Sequence, residues 1–71
     1  PPQNPGRFTK QFDQAGRRTR LTPEAQRSCT TLDREIPTLE EREVGAIGEG
    51  RAAVQAQLFT LRKRFRELRC Q

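Results

Sequence analysis

The sequence predicts an all-α fold, an antiparallel two-helix hairpin closed by a disulfide and preceded by an extended N-terminal arm. Cys29 and Cys70 lie at nearly equal distances from the only glycine cluster of the chain, at residues 45–50. Apolar residues on both sides of the cluster repeat at the spacing of packed helices. Folding the chain at the cluster brings these residues into matched positions. The matched pairs are Leu32 with Leu68, Ile36 with Phe65, Leu39 with Leu61, and Ile47 with Val54.

The helices are predicted at about residues 23–45 and 51–69, with a turn at 45–50. Thr22 would cap the free N–H groups of the first helix, and Pro23 suits its first position because that N–H has no partner in a helix. The second helix keeps a strict 4-3-4-3 apolar spacing. The residues of this stripe are Val54, Leu58, Leu61, Phe65 and Leu68, and Phe59 lies off it.

Pro37 interrupts the first helix and predicts a kink or a break at that point. Proline has no N–H to donate to the carbonyl of Asp33, and it disfavours helical backbone at the residue before it. Thr38, followed three residues later by Glu41, matches a capping box that would restart the helix. The apolar stripe is expected to continue across the interruption.

Two positions require backbone that is not helical. Gly48 and Gly50 are predicted to reverse the chain, with a positive φ in at least one of them. Cys70 lies two residues after Leu68, so a continuous helix would turn it away from the apolar stripe. A bridge to Cys29 therefore requires the last helical turn to unwind.

Length and composition indicate one small domain that needs additional stabilisation. The chain has 71 residues, of which 31% are hydrophobic, and chains of this size seldom bury enough apolar surface to be stable alone. It has no histidine, and two cysteines cannot complete a tetrahedral zinc site. We therefore expect no metal or other cofactor, and assign the stabilisation to a disulfide, a partner or both.

Residues 1–21 are predicted to be an extended basic arm, and residues 22–71 the hairpin. Prolines and glycines interrupt any helical period in the arm, and its other residues are mostly polar. Phe8 and Phe12 are its large apolar side chains before Leu21. They predict either an anchor that orders on a partner or an incidental pair in a passive tail.

The sequence offers no catalytic chemistry, so we expect a protein that is not an enzyme. Without histidine, a hydroxyl or thiol nucleophile lacks its usual base. Ser28 is the only serine, and Cys29 and Cys70 are too far apart in sequence for a CxxC redox site. The glycine cluster lacks the lysine and hydroxyl residue of a phosphate-binding loop.

The net charge of +5 is divided into three blocks. Residues 1–28 have six basic and two acidic side chains (+4), residues 29–50 two and six (−4), and residues 51–71 six and one (+5). The hairpin would place the acidic helix beside the basic one, which favours this pairing. The cationic run at 62–66 is compatible with a solvated face, an acidic protein partner, nucleic acid or anionic lipid.

These patterns predict a structural or interaction subunit that docks on a larger protein assembly or on copies of itself. The alternative is a small basic nucleic-acid-binding protein. Membrane-surface binding is disfavoured because neither helix separates a wide apolar face from a basic one, and no membrane-spanning run is present. The candidate partner-binding residues are Phe8, Phe12, Phe59, Arg62, Arg64 and Arg66.

The predicted bridge also indicates an oxidising compartment, so we expect a secreted or periplasmic protein. The chain begins with Pro1 and Pro2 and contains no methionine. This start is expected of a processed N-terminus or of a partial sequence.

Overall fold

The computed structural model describes residues 16–71, which form an antiparallel hairpin of two α-helices. Helix α1 is Pro23–Gly45 and helix α2 is Gly48–Glu67, and these residues contain no strand. The bounds of α1 agree with the prediction, whereas α2 begins three residues and ends two residues earlier than predicted. The all-α hairpin is confirmed.

Helix α1 begins with the predicted cap. The N–H of Ala25 donates to Oγ1 of Thr22 at 3.1 Å, and Pro23 occupies the first helical position. Glu24 lies in the first turn, where a carboxylate opposes the positive end of the helix dipole. Local sequence therefore determines where this helix starts.

Helix α1 continues through Pro37 without a break. The predicted restart is wrong, because Thr38 does not cap a new helix: its Oγ1 donates to the carbonyl of Arg34 at 2.9 Å, as threonines inside helices do. Ile36 and Leu39 are half-buried on either side of the proline. Their packing keeps the helix continuous despite the one backbone hydrogen bond that proline cannot donate.

The two helices are joined by a turn of only two residues, Ala46 and Ile47. The N–H of Ala46 donates to the carbonyl of Glu43 at 3.3 Å, and Gly48 has a φ of +57°. The predicted positive-φ glycine is therefore confirmed at Gly48. The predicted pairing of Ile47 with Val54 is wrong, because Ile47 lies beyond the packed turns and is 85% exposed.

The core is a narrow stripe between the helices, and the predicted heptad spacing is confirmed. Among residues 16–71, four are buried: Cys29, Leu32, Leu58 and Cys70. Partly buried apolar side chains surround the disulfide end of this stripe; they are Leu21, Ile36, Leu61, Phe65 and Leu68. Each helix thus buries one face and leaves the other to solvent.

The predicted disulfide between Cys29 and Cys70 is present, with the two Cα atoms 5.5 Å apart. The predicted unwinding after α2 is also found. The N–H of Arg69 donates to the carbonyl of Arg66 and that of Cys70 to the carbonyl of Phe65, both at 3.0 Å. These two bonds define a Schellman motif, which turns Cys70 back toward the core.

Residues 16–21, the described end of the predicted arm, are folded rather than extended. Residues 16–18 are helical, and the N–H of Leu21 donates to the carbonyl of Arg18 at 3.0 Å. Leu21 packs against the core, which stabilises this compact conformation. The described residues of the predicted arm thus contact the hairpin, through Leu21 and Arg18.

Candidate binding surface

The interface between the helices determines which side chains of α2 remain available to a partner. Leu58 is fully buried, and the next residue, Phe59, is 67% exposed because successive helical residues differ by about 100° in direction. Phe59 thus lies outside the core, as its position off the apolar stripe predicted. It is the large aromatic side chain that the described hairpin leaves exposed.

Arg62, another predicted binding residue, is engaged within the hairpin. Its Nη2 donates to Oε2 of Glu40 at 2.9 Å, across the helix interface. Both side chains are nearly half exposed, so the pair contributes at most about 1 kcal/mol. The pair joins the acidic and basic blocks in the antiparallel register that the disulfide also defines.

Arg64 lies on the other edge of the interface. It lines an open cleft of about 370 Å³ together with residues of α1. The other residues lining the cleft are Glu24, Arg27, Ser28, Thr31, Leu32 and Glu35. The mixed charges give this cleft no strong preference for an anion or a cation.

Lys63 and Arg66 share the outer face of α2 with Phe59, because residues four and seven positions apart lie on one side of a helix. Both are exposed. Within residues 16–71, the ion pairs are those of Arg18 and Arg62, so Lys63 and Arg66 have none. The sequence prediction included Arg66 and missed Lys63, although the helical spacing from Phe59 was available to identify it.

Arg18 connects three segments of the chain at the disulfide end. Its Nη1 and Nη2 donate to the two carboxylate oxygens of Asp33 at 2.6 and 2.8 Å, and its Nε donates to the carbonyl of Cys70 at 2.9 Å. Its Cζ lies 5.7 Å from the centre of the Phe65 ring. The guanidinium thus binds α1 and the segment after α2 at the same time.

The hydrogen bond with Asp33 raises the pKa of Arg18 above its ordinary value, although partial burial opposes the rise. The guanidinium therefore remains charged in the folded chain. We call these contacts of Arg18 with Asp33, Phe65 and Cys70 the Arg18 clamp. The sequence analysis did not identify it, because Arg18 is one of several arginines in a basic segment.

A second exposed apolar surface lies at the turn between the helices. Val44 and Ile47 are 84% and 85% exposed. Neither was among the predicted binding residues: Ile47 was expected to pair with Val54, and Val44 was not singled out in the sequence. The hairpin therefore exposes apolar side chains both at its turn and on α2.

Cysteine and acidic side chains are the usual metal ligands that this sequence offers, because it has no histidine. Residues 16–71 contain no group of three or more cysteine or acidic side chains placed to hold a metal ion. The sulfur atoms of Cys29 and Cys70 are bonded to each other and buried. In this part of the chain, no helix is long and apolar enough to span a membrane.

Comparison with models of protein families, with curated proteins and with solved structures gave no match. Function is therefore inferred from the surface and charge of this chain. Phe8 and Phe12, the remaining predicted binding residues, lie outside the described residues, and their role stays a prediction.

Proposed function

We propose that the chain is a non-catalytic interaction subunit that docks on a larger protein or on copies of itself. The observation that supports this proposal most directly is the exposure of Val44, Ile47 and Phe59 on a hairpin whose packing uses one stripe of each helix. Apolar side chains left in solvent next to charged ones are typical of surfaces that a partner covers.

The disulfide end supports this proposal because its contacts order the hairpin before a partner binds. The Cys29–Cys70 bridge and the Arg18 clamp hold the two helices together at one end. A surface that is already ordered loses less conformational entropy on binding than a flexible segment does. The hairpin is thus suited to present side chains at fixed distances.

We also propose that the chain works in an oxidising compartment, as a secreted or periplasmic protein. The buried disulfide supports this proposal, because such bridges persist mainly outside the reducing cytosol. Mass spectrometry of native material without reductant is the direct measurement. Two free thiols in that material would contradict the proposed compartment.

Nucleic-acid binding is the second candidate, and it is favoured by the cations of Lys63 and Arg66, which form no ion pair within residues 16–71. A protein that neutralises phosphates loses affinity steeply as salt concentration rises. Titration of the oxidised chain with an oligonucleotide at two salt concentrations tests this candidate. No measurable binding at low salt would exclude it.

Photo-crosslinking in cells of the native source tests the main proposal. A benzophenone amino acid is placed in turn at the exposed positions Val44, Phe59 and Arg34, and adducts are identified by mass spectrometry. The proposal predicts a defined protein adduct, or a covalent dimer, from at least one of these positions. The absence of protein adducts at all three would contradict it.

The arm is tested by deletion of residues 1–15, which retains every contact of the Arg18 clamp. If Phe8 and Phe12 anchor a partner, the deletion abolishes or weakens the crosslinked complex while the hairpin stays folded. Replacement of both phenylalanines by serine in the full chain is the matched variant. An unchanged complex from both variants would make the arm a passive tail.

A further inference from the structure

The outer face of α2 combines an exposed aromatic ring with cations that have no ion pair in the described chain. Lys63 and Arg66 follow Phe59 by about one and two helical turns. We call Phe59, Lys63 and Arg66 the outer patch. Arg62, adjacent in sequence, is excluded from it because its guanidinium is held by Glu40.

The residues of the outer patch follow one another along the helix axis, and its two positive charges have no ion pair within residues 16–71. Phe59 and Arg66 are seven residues apart, which corresponds to about 10 Å along the helix axis. The two acidic residues of α2, Glu49 and Glu67, form no ion pair with the patch. The side of the patch that follows the aromatic ring is therefore positively charged.

We propose that the outer patch binds an acidic amphipathic helix of a partner protein. An apolar residue of that helix would pack on the Phe59 ring, and carboxylates one and two turns away would pair with Lys63 and Arg66. This inference rests on the proposed interaction function and specifies the chemistry of the partner.

The structure favours a different protein over a second copy of this chain. The outer face of α1 carries Arg27, Arg34 and Arg42, which are exposed and spaced seven and eight residues apart. The same helix also carries the exposed acidic residues Glu24, Glu35 and Glu41, which form no ion pair within residues 16–71, so charge alone does not decide against a second copy. The large apolar side chain that α1 exposes is Val44, in its last turn, and the position two turns before it is Pro37. Helix α1 of a second copy therefore cannot place carboxylates one and two turns away from an apolar anchor.

The geometry also favours a protein over nucleic acid or lipid. The outer patch has one aromatic ring, whereas single-stranded nucleic acid is held by successive stacked bases. Helices that lie on membranes have a wide apolar face, and here the exposed apolar surface of α2 is concentrated in Phe59. One ring followed by two cations fits a single apolar anchor with carboxylates one and two turns away.

The test is a titration of the full oxidised chain, labelled with ¹⁵N, with a synthetic 21-residue helix. The probe has one leucine stripe flanked by glutamates, and the control probe has lysines in place of the glutamates. We expect the acidic probe to shift the amide signals around Phe59, Lys63 and Arg66, and the basic probe to leave them unchanged.

Charge-reversed variants give the decisive comparison. Lys63→Glu with Arg66→Glu should weaken binding of the acidic probe at least about tenfold, or about 1.4 kcal/mol. Arg27→Glu with Arg34→Glu makes the same change in net charge on the outer face of α1, and should alter the affinity less than about threefold. Circular dichroism without reductant verifies that both variants remain folded.

Several results would overturn the inference. Equal weakening by both charge-reversed variants would indicate general attraction to net charge. Tighter binding of a twelve-nucleotide thymidine oligomer, or of phosphatidylglycerol vesicles, at the outer patch would assign the patch to that ligand. A crosslinked protein attached at Val44 or Arg34 but not at Phe59 would leave the proposed interaction function standing and contradict this inference alone.

Discussion

The two ends of the hairpin are stabilised in different ways. The closed end, residues 16–33 and 65–71, has the disulfide, the Arg18 clamp, the Schellman motif and three of the four residues that are buried within 16–71. The tip, residues 44–50, has a two-residue turn, no side-chain cap on α2 and two exposed apolar side chains. Stability is thus concentrated at one end of the molecule.

This difference separates the residues that stabilise the fold from those available for binding. A short hairpin cannot bury both faces of its helices, so one covalent bond and one charged cluster at the closed end supply what the core lacks. The tip and the outer face of α2 are then free to expose apolar side chains. Substitutions at the two ends should therefore have unequal effects on stability.

The largest effect is expected from removal of the disulfide. Replacing Cys29 and Cys70 together by serine opens a closed loop with a sequence separation of 41 residues, which lowers the free energy of unfolding by about 4 kcal/mol on the chain-entropy model. Urea denaturation measures the loss, with Gln55→Ser as the surface control. A loss below about 1 kcal/mol would show that the closed end does not depend on the bridge.

Arg18→Ala should have the next largest effect. It removes two hydrogen bonds to Asp33 and one to the carbonyl of Cys70, which lowers the free energy of unfolding by about 1–2 kcal/mol after allowance for the exposure of Asp33. Arg18→Lys should recover only part of this, because an ammonium cannot reproduce the forked geometry. Arg17→Ala is the neighbouring control, and equal losses from Arg17 and Arg18 would contradict the clamp.

Gly48→Ala tests the backbone of the tip. Gly48 has a φ of +57°, and an added Cβ would meet no atom within 4 Å, so the cost is conformational. Alanine there should lower the free energy of unfolding by about 1 kcal/mol. Gly50→Ala lies within α2 in equally open space and should be neutral or stabilising. Thermal denaturation should therefore show a lower Tm for Gly48→Ala than for Gly50→Ala. Similar decreases of Tm in both variants would refute this account of the turn.

Arg69→Gly tests the backbone at the closed end, and this substitution should raise the free energy of unfolding rather than lower it. Arg69 has a φ of +61° without being glycine, so glycine should raise the free energy of unfolding by up to about 1 kcal/mol. Gln55→Gly, inside α2, should lower it by about 1 kcal/mol. Destabilisation by both glycines would mean that the left-handed backbone at Arg69 is not a source of strain.

The smallest effects are expected at the tip. Val44→Ser and Ile47→Ser should each change the free energy of unfolding by less than about 0.5 kcal/mol, because both side chains are exposed. Leu32→Ala, in the core, should cost about 2–5 kcal/mol in the same urea assay. A loss at the tip comparable with that at Leu32 would contradict the exposure of these side chains.

The global arrangement could be predicted because several independent patterns agreed. The placement of Cys29 and Cys70, the heptad spacing and the opposite charge of the two helices all indicated one antiparallel register. The disulfide and the pair of Glu40 with Arg62 confirm it. The fold of a short sequence can be predicted when residue spacing, cysteine placement and charge all favour the same structure.

Other features depend on geometry that exists only after folding. Several arginines precede α1, and only the folded positions of Asp33 and Cys70 select Arg18 among them. Proline inside a helix destabilises the helix locally, and at Pro37 the packing across the helix interface outweighs this loss. The local sequence therefore predicted a restart of the helix that is absent. The helical rotation between successive residues of α2 likewise places Arg62 beside Glu40 and Lys63 on the outer face, although the two are neighbours in sequence.

Native-state amide hydrogen exchange of the oxidised chain measures how stability is distributed between the closed end and the tip. Protection should be greatest at the closed end, at Leu32 and Phe65, and fall steadily toward Gly48 at the tip. Reduction of the disulfide should abolish this gradient. Uniform protection along both helices, or stronger protection at the tip than at the closed end, would contradict the account.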